Sequence, residues 1–203
     1  MNTPNSALLK SARATLKGKW KLAIKATLVY FALMILAQVI PIVKYVAPLI
    51  ITGPLSLGLS IFWLAFSRGQ AIELDAVFQG FDTWWRAFKA YILMAIFIFL
   101  WSLLLIIPGI IAALSYSQTF FILAEDKTIG VSAAIEKSKK MMYGYKWKLV
   151  GLNIRFFGLG LLCLLTLGIG FLWLVPYIWV TLAKFYDDIK DVKSEVEVVP
   201  TAN

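Results

Sequence analysis

Apolar residues are concentrated in four long runs, and most polar residues fall between them. The runs cover residues 22–43, 46–67, 91–124 and 149–185. A hydrocarbon core about 30 Å thick needs roughly 20 apolar helical residues for each crossing. The first two runs each fit one transmembrane helix, whereas the last two are too long for one. The pattern therefore predicts more than four crossings.

Proline and glycine divide these runs into hairpins. Pro108 and Gly109 split the third run, because proline removes a helical hydrogen bond and glycine supplies turn freedom. Residues 167–170 split the fourth run in the same way, and residues 41–48 separate the first two. We therefore predict an all-α, polytopic membrane protein with six transmembrane helices in three hairpins. The divided runs give spans at about 91–107, 110–124, 149–166 and 171–185.

Further breaks lie inside the predicted spans. Pro48, Gly53, Pro54 and Gly58 interrupt the second span, and Pro176, followed by Tyr177, interrupts the sixth. Broken helices can expose carbonyl groups to a ligand near the bilayer midplane. The interpretation we favour is kinking and close helix packing. The Pro108-Gly109 and Pro176-Tyr177 breaks are accordingly predicted to be structural.

An amphipathic segment precedes each predicted hairpin. In the first segment, apolar residues recur every fourth position with basic residues between them, and Asn5 or Ser6 is the expected N-cap. We expect this helix to lie flat on the inner leaflet. The middle segment is short and aromatic, and Gly80 weakens its helical pattern. The apolar sides are Leu8, Ala12, Leu16 and Trp20; Leu74, Val77, Phe78 and Phe81; and Ile135, Ser138, Met142 and Tyr145.

The segments also suggest an internal repeat. A shift of 127 residues aligns Lys19-Trp20-Lys21-Leu22 with Lys146-Trp147-Lys148-Leu149, and a weaker copy centres on Trp84-Trp85-Arg86. The repeat units would be 5–67, 73–124 and 130–186, which makes a pseudo-threefold arrangement a hypothesis. Ordinary anchoring of basic and tryptophan residues is the alternative, and it is favoured for the middle copy. We expect one transmembrane domain at 1–190 and a flexible acidic tail at 191–203.

The distribution of charge predicts the orientation. The six-span layout places 18 of the 20 lysines and arginines on one side of the membrane or at its interface. The positive-inside rule assigns that side, with both termini, to the cytoplasm. With 61% hydrophobic residues, 15% charged residues and a mean hydropathy of +0.81, the chain is too apolar for an ordinary soluble domain. Topology explains the net charge of +9, so we do not expect nucleic-acid binding.

The residue inventory restricts the possible chemistry. Histidine is absent, which excludes a histidine metal site and a Ser-His-Asp triad, and the single Cys163 can form no internal disulfide. No Asp or Glu lies inside a predicted span, so an ion-coupled pump lacks an obvious carrier. The acidic clusters near 73–82 and 187–188 have no catalytic spacing. We predict a non-enzymatic protein without cofactor or metal.

Two sets of residues are candidates for binding. Basic clusters beside a membrane attract anionic headgroups, although topology anchoring is the favoured reading of the same residues. Polar groups inside spans are functional suspects by default, although Arg155 can snorkel and the amides can bond between helices. The interface candidates are Lys19, Trp20, Lys21, Trp85, Arg86, Lys146, Trp147 and Lys148, and the intramembrane candidates are Asn153, Arg155 and Gln118.

Several motifs in this order resemble a bacterial integral-membrane family catalogued as domain of unknown function number 975. They are residues 100–111, 114–117, Ser138-Lys139 with Met142 and Gly144, 146–149, 167–170, Pro176-Tyr177 and Phe185-Tyr186. The resemblance spans nearly the whole chain. It implies a bacterial plasma membrane and a six-span layout, and it assigns no catalytic or binding position.

The expected function is binding of membrane lipids, especially of an anionic inner leaflet, or of a protein partner, including a second copy of the chain. A small transporter or channel is the alternative, and it predicts a polar cavity that reaches Asn153, Arg155 or Gln118. An immunity or stress protein that shields the membrane from a peptide is the third class. The sequence alone does not distinguish these three.

Overall fold

The computed structural model describes the backbone of residues 3–39 and 43–198 and the side chains of 3–36 and 50–190. Within these ranges the chain forms nine α-helices, two 3₁₀ turns and no strand. The helices are α1 (Asn5–Leu16), α2 (Trp20–Val39), α3 (Val43–Ser67), α4 (Trp84–Leu104), α5 (Ile106–Tyr116), α6 (Thr119–Glu125), α7 (Val131–Met141), α8 (Lys146–Leu165) and α9 (Phe171–Val198). The 3₁₀ turns are Leu74–Val77 and Gln79–Phe81.

Four stretches among the described residues are long and apolar enough to cross a membrane. They are Ile50–Ser67, Trp84–Leu104, Ile106–Glu125 and Lys146–Leu165. They differ in how much the protein itself covers them, since 67% of the stretch in α3 is buried but only 17% of those in α4 and α8. The apolar surfaces of α4 and α8 therefore face outward.

The predicted hairpin in the third apolar run is present, but its turn lies earlier than predicted. Leu105 is extended, with φ −165° and ψ 150°, and it separates α4 from α5. Pro108 lies in the first turn of α5, where a missing N–H costs no helical hydrogen bond. Gly109 allows the close approach of the two helices, because a Cβ there would lie 2.1 Å from Oγ of Ser102. A second interruption at residues 117–118, which was not predicted, separates α5 from α6.

The other predicted breaks have mixed outcomes. The turn at 167–170 is confirmed: α8 ends at Leu165, and Gly168 takes the left-handed φ of 85° that glycine favours. The predicted separator at 41–48 is wrong from Val43 onward, because α3 begins there; residues 40–42 and the side chain of Pro48 lie outside the described part. Pro176 does not end the sixth run, because α9 continues through it.

Glycines in α3 serve packing rather than breaking the helix. α3 is continuous through Gly53 and Gly58. A Cβ at Gly58 would lie 1.9 Å from the carbonyl oxygen of Val77, and one at Gly80 would lie 2.0 Å from that of Pro54. The backbone of the 3₁₀ segment thus lies directly against α3. The middle segment, predicted as a helix weakened by Gly80, is helical but of the 3₁₀ type, in two short pieces that fit this contact.

Helix α1 is docked on the protein through its apolar stripe. Leu8, Ala12 and Leu16 are buried, and α1 packs mainly against α9. Protein therefore covers this stripe, and the position of α1 on the inner leaflet stays a prediction. The predicted cap is wrong, because Pro4 occupies the N-cap position and no side chain caps the helix.

Helix α9 lies at the centre of the largest core cluster. Phe185, Tyr186 and Ile189 are fully buried there, with residues of α3, α6, α7 and α8 around them. The helix continues to Val198, so the backbone of 191–198, which we expected to be a flexible tail, is helical. Residues 199–203 and the side chains after Lys190 lie outside the described residues.

Candidate functional site

An ion-pair network joins the C-terminal ends of α3 and α6 to the second half of α9. Nη2 of Arg68 lies 2.7 Å from Oε1 of Glu125 and 2.6 Å from Oδ1 of Asp187. Glu125 also accepts hydrogen bonds from the Tyr186 hydroxyl at 2.7 Å and from Nζ of Lys190 at 2.5 Å. Three donors thus surround the Glu125 carboxylate. Because its oxygens are already hydrogen-bonded, this carboxylate stabilises the contact between helices and is not a free general base. We call these five residues the Arg68 network.

Within the Arg68 network, the protonated forms of Arg68 and Tyr186 are stabilised. The hydrogen bond with Asp187 raises the pKa of Arg68 above its ordinary value despite partial burial. Burial, followed by the hydrogen bond to Glu125, raises the pKa of the Tyr186 phenol. Arg68 therefore stays a cation, and Tyr186 stays a donor, throughout the physiological range.

A second ion pair ties α8 to α9 and to the start of the chain. Nζ of Lys148 lies 2.5 Å from Oδ2 of Asp188, and the side chains are only 11% and 9% exposed. The Thr3 hydroxyl donates to Asp188, and Nδ2 of Asn5 donates to the carbonyl oxygen of Lys148 at 3.0 Å. The sequence predicts Lys148 as a headgroup contact, but its ammonium group forms an ion pair within the protein.

The two copies of the Lys-Trp-Lys-Leu element have different environments. In the first copy, Lys19 and Lys21 are exposed, and Trp20 packs partly buried against the core. In the second copy the tryptophan, Trp147, is 84% exposed, whereas Lys148 is the enclosed member. Lys146 is half-buried. Identical residues at repeat-related positions therefore do not have equivalent surroundings.

The middle copy divides into an aromatic surface and an internal clamp. Trp85 is 57% exposed and stacks with Trp84 and Phe88, with Nζ of Lys89 5.1 Å from its ring centroid. Arg86 instead turns inward.

Arg86 holds the loop between α6 and α7. Its Nη2 donates to the carbonyl oxygens of Asp126 and Ile129, each at 2.7 Å. Within the loop, Oδ1 of Asp126 accepts from the hydroxyl and the N–H of Thr128 and from the N–H of Ile129. The hydroxyl hydrogen bond from Thr128 is the main reason that the pKa of Asp126 lies below its ordinary value. Arg86 therefore has a clear structural role.

Gln118 is buried at the junction between α5 and α6. Its N–H donates to Oγ of Ser138 at 3.2 Å, and that hydroxyl donates to the carbonyl oxygen of Ser115 at 2.8 Å. The Gln118 side chain donates only to its neighbour Ser117, and its Oε1 has no hydrogen-bond partner. The connection to α7 is thus made by Ser138 and the backbone, and the predicted bond between helices is not made by the Gln118 amide.

The remaining intramembrane candidates lie on the outside of α8. Asn153 and Arg155 are both exposed. Cζ of Arg13, in α1, lies 6.0 Å from the ring centroid of Tyr177 in α9. The Tyr177 hydroxyl donates to the carbonyl oxygen of Leu9 at 3.3 Å. One arginine of α1 thus lies beside the tyrosine that ties α9 to α1.

A groove of about 420 Å³ runs from this point between α8 and α9. Arg13, Trp20 and Tyr177 line one part, and Leu162, Cys163 and Trp173 line the apolar walls. A second groove of about 680 Å³, between α2 and α9, is lined almost wholly by apolar residues such as Tyr30, Phe31 and Trp179. Neither groove is lined by Asn153, Arg155 or Gln118. We call the first one the Arg13 groove.

In the part of the chain that the structure describes, no three His, Cys, Asp or Glu residues are grouped so that they could hold a metal ion.

The sequence interpretation missed both Arg68 and Arg13 as functional candidates. Arg68, Glu125 and Asp187 each lie within two residues after the end of an apolar run. Charges at equivalent ends of hairpins were a usable signal, since such ends meet in space. Arg13 gave no such signal, because it is one of several basic residues on α1.

Comparison with known proteins identifies one family. The profile of a family described as "Protein of unknown function (DUF975)" matches residues 1–108 and 102–193, which together cover nearly the whole chain. No curated protein and no solved structure matches the chain.

Proposed function

From the premise that this chain belongs to the DUF975 family of proteins of unknown function, we propose that it is a multi-pass bacterial plasma-membrane protein that acts by binding. Its ligands are lipids of the anionic inner leaflet or a protein partner, and it performs no catalysis. The observation that carries this proposal is the combination of outward-facing apolar helices with a charged end at which the carboxylates of Glu125, Asp187 and Asp188 are already paired.

The apolar surface supports residence in a bilayer. Large apolar side chains at the turn between α4 and α5 are strongly exposed, with Leu103 at 73%, Ile106 at 77% and Ile107 at 70%. Leu165 and Leu167, at the turn between α8 and α9, are 81% and 95% exposed. Contiguous apolar surface of this kind is not left in contact with water in soluble monomers. Lipid is the solvent that the helices leading to these two turns fit, and the turns themselves then lie at the membrane–water interface.

Six crossings require that α2 and α9 also span the membrane. α2 has 20 residues and α9 has 28, which is enough for about 30 Å of hydrocarbon at 1.5 Å per residue. The charged residues at the ends of α3 and α6 and in the second half of α9 would then lie on one side, which the positive-inside rule would assign, with both termini, to the cytoplasm. The pseudo-threefold relation of the three units stays part of this proposal.

The pairing of three carboxylates and the exposure of several lysines favour binding over catalysis. The carboxylates of Glu125, Asp187 and Asp188 each have a cationic partner at 2.5 to 2.7 Å. Exposed basic residues such as Lys10, Lys17 and Lys21 have no comparable ion pair among the described contacts. The exposed cations suit lipid headgroups, and the outward-facing apolar surfaces suit lipid chains.

Cysteine labelling tests the topology. In a Cys163→Ser background, Leu167→Cys reports the turn between α8 and α9, and Lys127→Cys reports the charged end; both positions are exposed. A membrane-impermeant maleimide on intact cells should label Leu167→Cys, and it should label Lys127→Cys only after permeabilisation. Labelling of both variants from the same side would overturn the hairpin layout.

Native mass spectrometry of the gently solubilised protein tests the binding activity. Retention of one anionic lipid class, or of a defined protein, is the expected result. A particle that retains neither, and that moves solutes after reconstitution, would replace the proposal by a small transporter.

A further inference from the structure

We propose that one surface at the connection between α7 and α8 contacts the headgroups of the inner leaflet and prefers anionic phospholipids there. This inference rests on the proposed function, because it names where a membrane-embedded binding protein meets its lipid. A protein partner on the same surface is an outcome that the test distinguishes. We call it the α7–α8 surface, and it consists of Lys137, Lys139, Lys140, Tyr143, Lys146 and Trp147.

The register of α8 places Trp147 at one end of a stripe that faces lipid. Trp147, Ile154, Leu161 and Leu165 are spaced by seven, seven and four residues, so they share one face of the helix. All four side chains are exposed. From Trp147 to Leu165 there are 18 residues, which at 1.5 Å per residue span about 27 Å. The hydrocarbon core is about 30 Å thick, so Trp147 lies at one membrane interface when Leu165 lies at the other.

Trp147 belongs to the charged end of the protein. The next residue, Lys148, pairs with Asp188 at 2.5 Å, and the residue before Asp188 is Asp187 of the Arg68 network. The proposed topology places this end on the cytoplasmic side. Trp147 is thus assigned to the inner interface, at a depth where tryptophan is enriched in membrane proteins.

The lysines of α7 point away from the helix bundle. The buried side of α7 packs against α4, α5 and α6. Ser138 fixes this orientation, because its Oγ donates to the carbonyl oxygen of Ser115 at 2.8 Å. The buried side consists of Ala134, Ile135, Ser138 and Met141. The exposed side therefore faces outward, and it carries Lys137, Lys139 and Lys140.

A short hydrogen-bonded turn brings these lysines close to Trp147. The N–H of Tyr143 donates to the carbonyl oxygen of Lys140 at 3.2 Å, and the N–H of Leu149 donates to that of Tyr145 at 3.1 Å. Helix α7 thus leads directly into α8. Tyr143, within this turn, is 78% exposed, and tyrosine shares the interfacial preference of tryptophan. Tyr143 and Trp147 are the most exposed aromatic residues in the described part of the chain.

The charge of the surface selects anionic lipid as the occupant. Glu136 is the only carboxylate in the sequence from 131 to 148, and it is paired with Lys140 at 2.8 Å. Lys139 and Lys146 form no ion pair within the described contacts. Basic residues beside a membrane attract anionic headgroups, whereas a zwitterionic headgroup carries no net charge. The surface should therefore prefer phosphatidylglycerol to phosphatidylcholine.

The first copy of the Lys-Trp-Lys-Leu element lacks this combination. Lys19 is exposed there, but Trp20 packs against the core. Lys127, in the loop between α6 and α7, is likewise exposed but has no exposed aromatic residue beside it. These two lysines carry the same charge without a side chain that anchors them at the interface, and they supply the matched control.

The first test is native mass spectrometry of the full-length protein released from nanodiscs with equal amounts of phosphatidylglycerol and phosphatidylcholine of the same acyl chains. Lys139→Gln/Lys146→Gln should lower the retention of phosphatidylglycerol relative to phosphatidylcholine by roughly fivefold or more. Lys19→Gln/Lys127→Gln, which removes the same charge, should lower it by less than about twofold. Equal losses in the two variants, or no loss in Lys139→Gln/Lys146→Gln, would overturn the assignment to this surface.

Depth measurements separate lipid contact from a protein partner. In a Cys163→Ser background, a fluorescent bimane label at Trp147→Cys should be quenched more by lipids with a nitroxide near the headgroup than by lipids with one at the chain end. Gly158→Cys, 11 residues further along α8 and about 16 Å deeper, should show the reverse order; a Cβ at this position meets open space. Lys127→Cys should be quenched by aqueous iodide.

The outcomes separate this surface from the proposed function. Quenching of Trp147→Cys by iodide alone, as at Lys127→Cys, would overturn the lipid contact and leave the surface to water or a protein partner. The proposed function would survive that result if lipid nitroxides quench Gly158→Cys. If lipid nitroxides quench neither Trp147→Cys nor Gly158→Cys, residence in the bilayer fails, and the proposed function fails with it.

Discussion

Replacement of Lys148 by methionine removes the cation from an enclosed ion pair while keeping the length of the side chain. The ammonium group lies 2.5 Å from Asp188, and the two side chains are 11% and 9% exposed. The Lys148 ammonium also lies 5.9 Å and 5.6 Å from the ring centroids of Tyr145 and Phe185. Methionine retains the apolar contact with these rings, so the loss reports the charge.

The expected cost follows from the burial of the partner. Removal of one member of a buried pair costs about 3–5 kcal/mol, because the other charge stays behind without compensation. Exposed pairs are worth only about 0.2–1 kcal/mol. With both side chains nearly enclosed, we expect a loss near the buried range, about 3 kcal/mol. The melting temperature should fall by about 6–12 °C, at about 2–4 °C for each kcal/mol.

The assay is unfolding of the purified protein in mixed micelles, by heat and by added dodecyl sulfate, with far-ultraviolet circular dichroism as the readout. Lys146→Met is the matched control, because Lys146 lies in the same element and forms no ion pair within the described contacts; it should change stability by less than about 0.5 kcal/mol. Lys148→Met/Asp188→Leu should recover most of the loss, since no unpaired charge is left. Equal stability of Lys148→Met and Lys146→Met would refute the reasoning and return Lys148 to the interface.

Three further predictions concern packing, a buried hydrogen bond and pH. Gly58→Ala should lower the melting temperature, because its Cβ would lie 1.9 Å from a backbone oxygen. Gly158→Ala, in open space, is the control and should be neutral or stabilise the protein by about 0.5–1 kcal/mol. Equal effects of the two substitutions would contradict the packing of α3 against the 3₁₀ segment. Ser138→Ala should cost about 1–3 kcal/mol in the same unfolding assay, because the N–H of Gln118 loses its acceptor; unchanged stability would contradict that bond. The lowered pKa of Asp126 means that its contribution to the loop is present above the ordinary aspartate pKa of about 3.9 and is lost as pH falls through the lowered value. Amide protection in the loop, which is the exchange rate of the unfolded chain divided by the measured rate at the same pH, should therefore fall only in acid. Asp126→Asn should lower this protection at neutral pH, and protection that already falls on acidification to pH 6 would contradict this.

The apolar runs predicted the helices well because helix formation in lipid depends on local composition. A stretch of about 20 apolar residues satisfies its own backbone hydrogen bonds and needs no distant partner. The predicted turn at 167–170 agrees with the structure for the same local reason, since glycine favours the left-handed backbone found at Gly168. Helix boundaries were less predictable: the turn near Pro108 begins at Leu105, because proline is compatible with the first turn of a helix.

The Lys-Trp-Lys-Leu elements show where local pattern stops being informative. Trp20 and Trp147 occupy aligned positions, yet only Trp147 is almost fully exposed. The difference arises because the neighbours of Trp20 come from helices distant in sequence. A repeat in sequence therefore predicted the positions of helix starts but not the surroundings of their side chains.

By itself, the sequence determined the all-helical class, the approximate positions of the apolar helices, and the presence of basic amphipathic segments between them. These properties depend on residues within about one helix length of one another. Only the tertiary structure decided that α1 packs against α9, that Arg68 joins Glu125 and Asp187, and that Arg13 lies beside Tyr177. Arg68 and Asp187 are 119 residues apart, and contacts at that separation depend on how the helices pack, which periodicity along one chain segment does not encode.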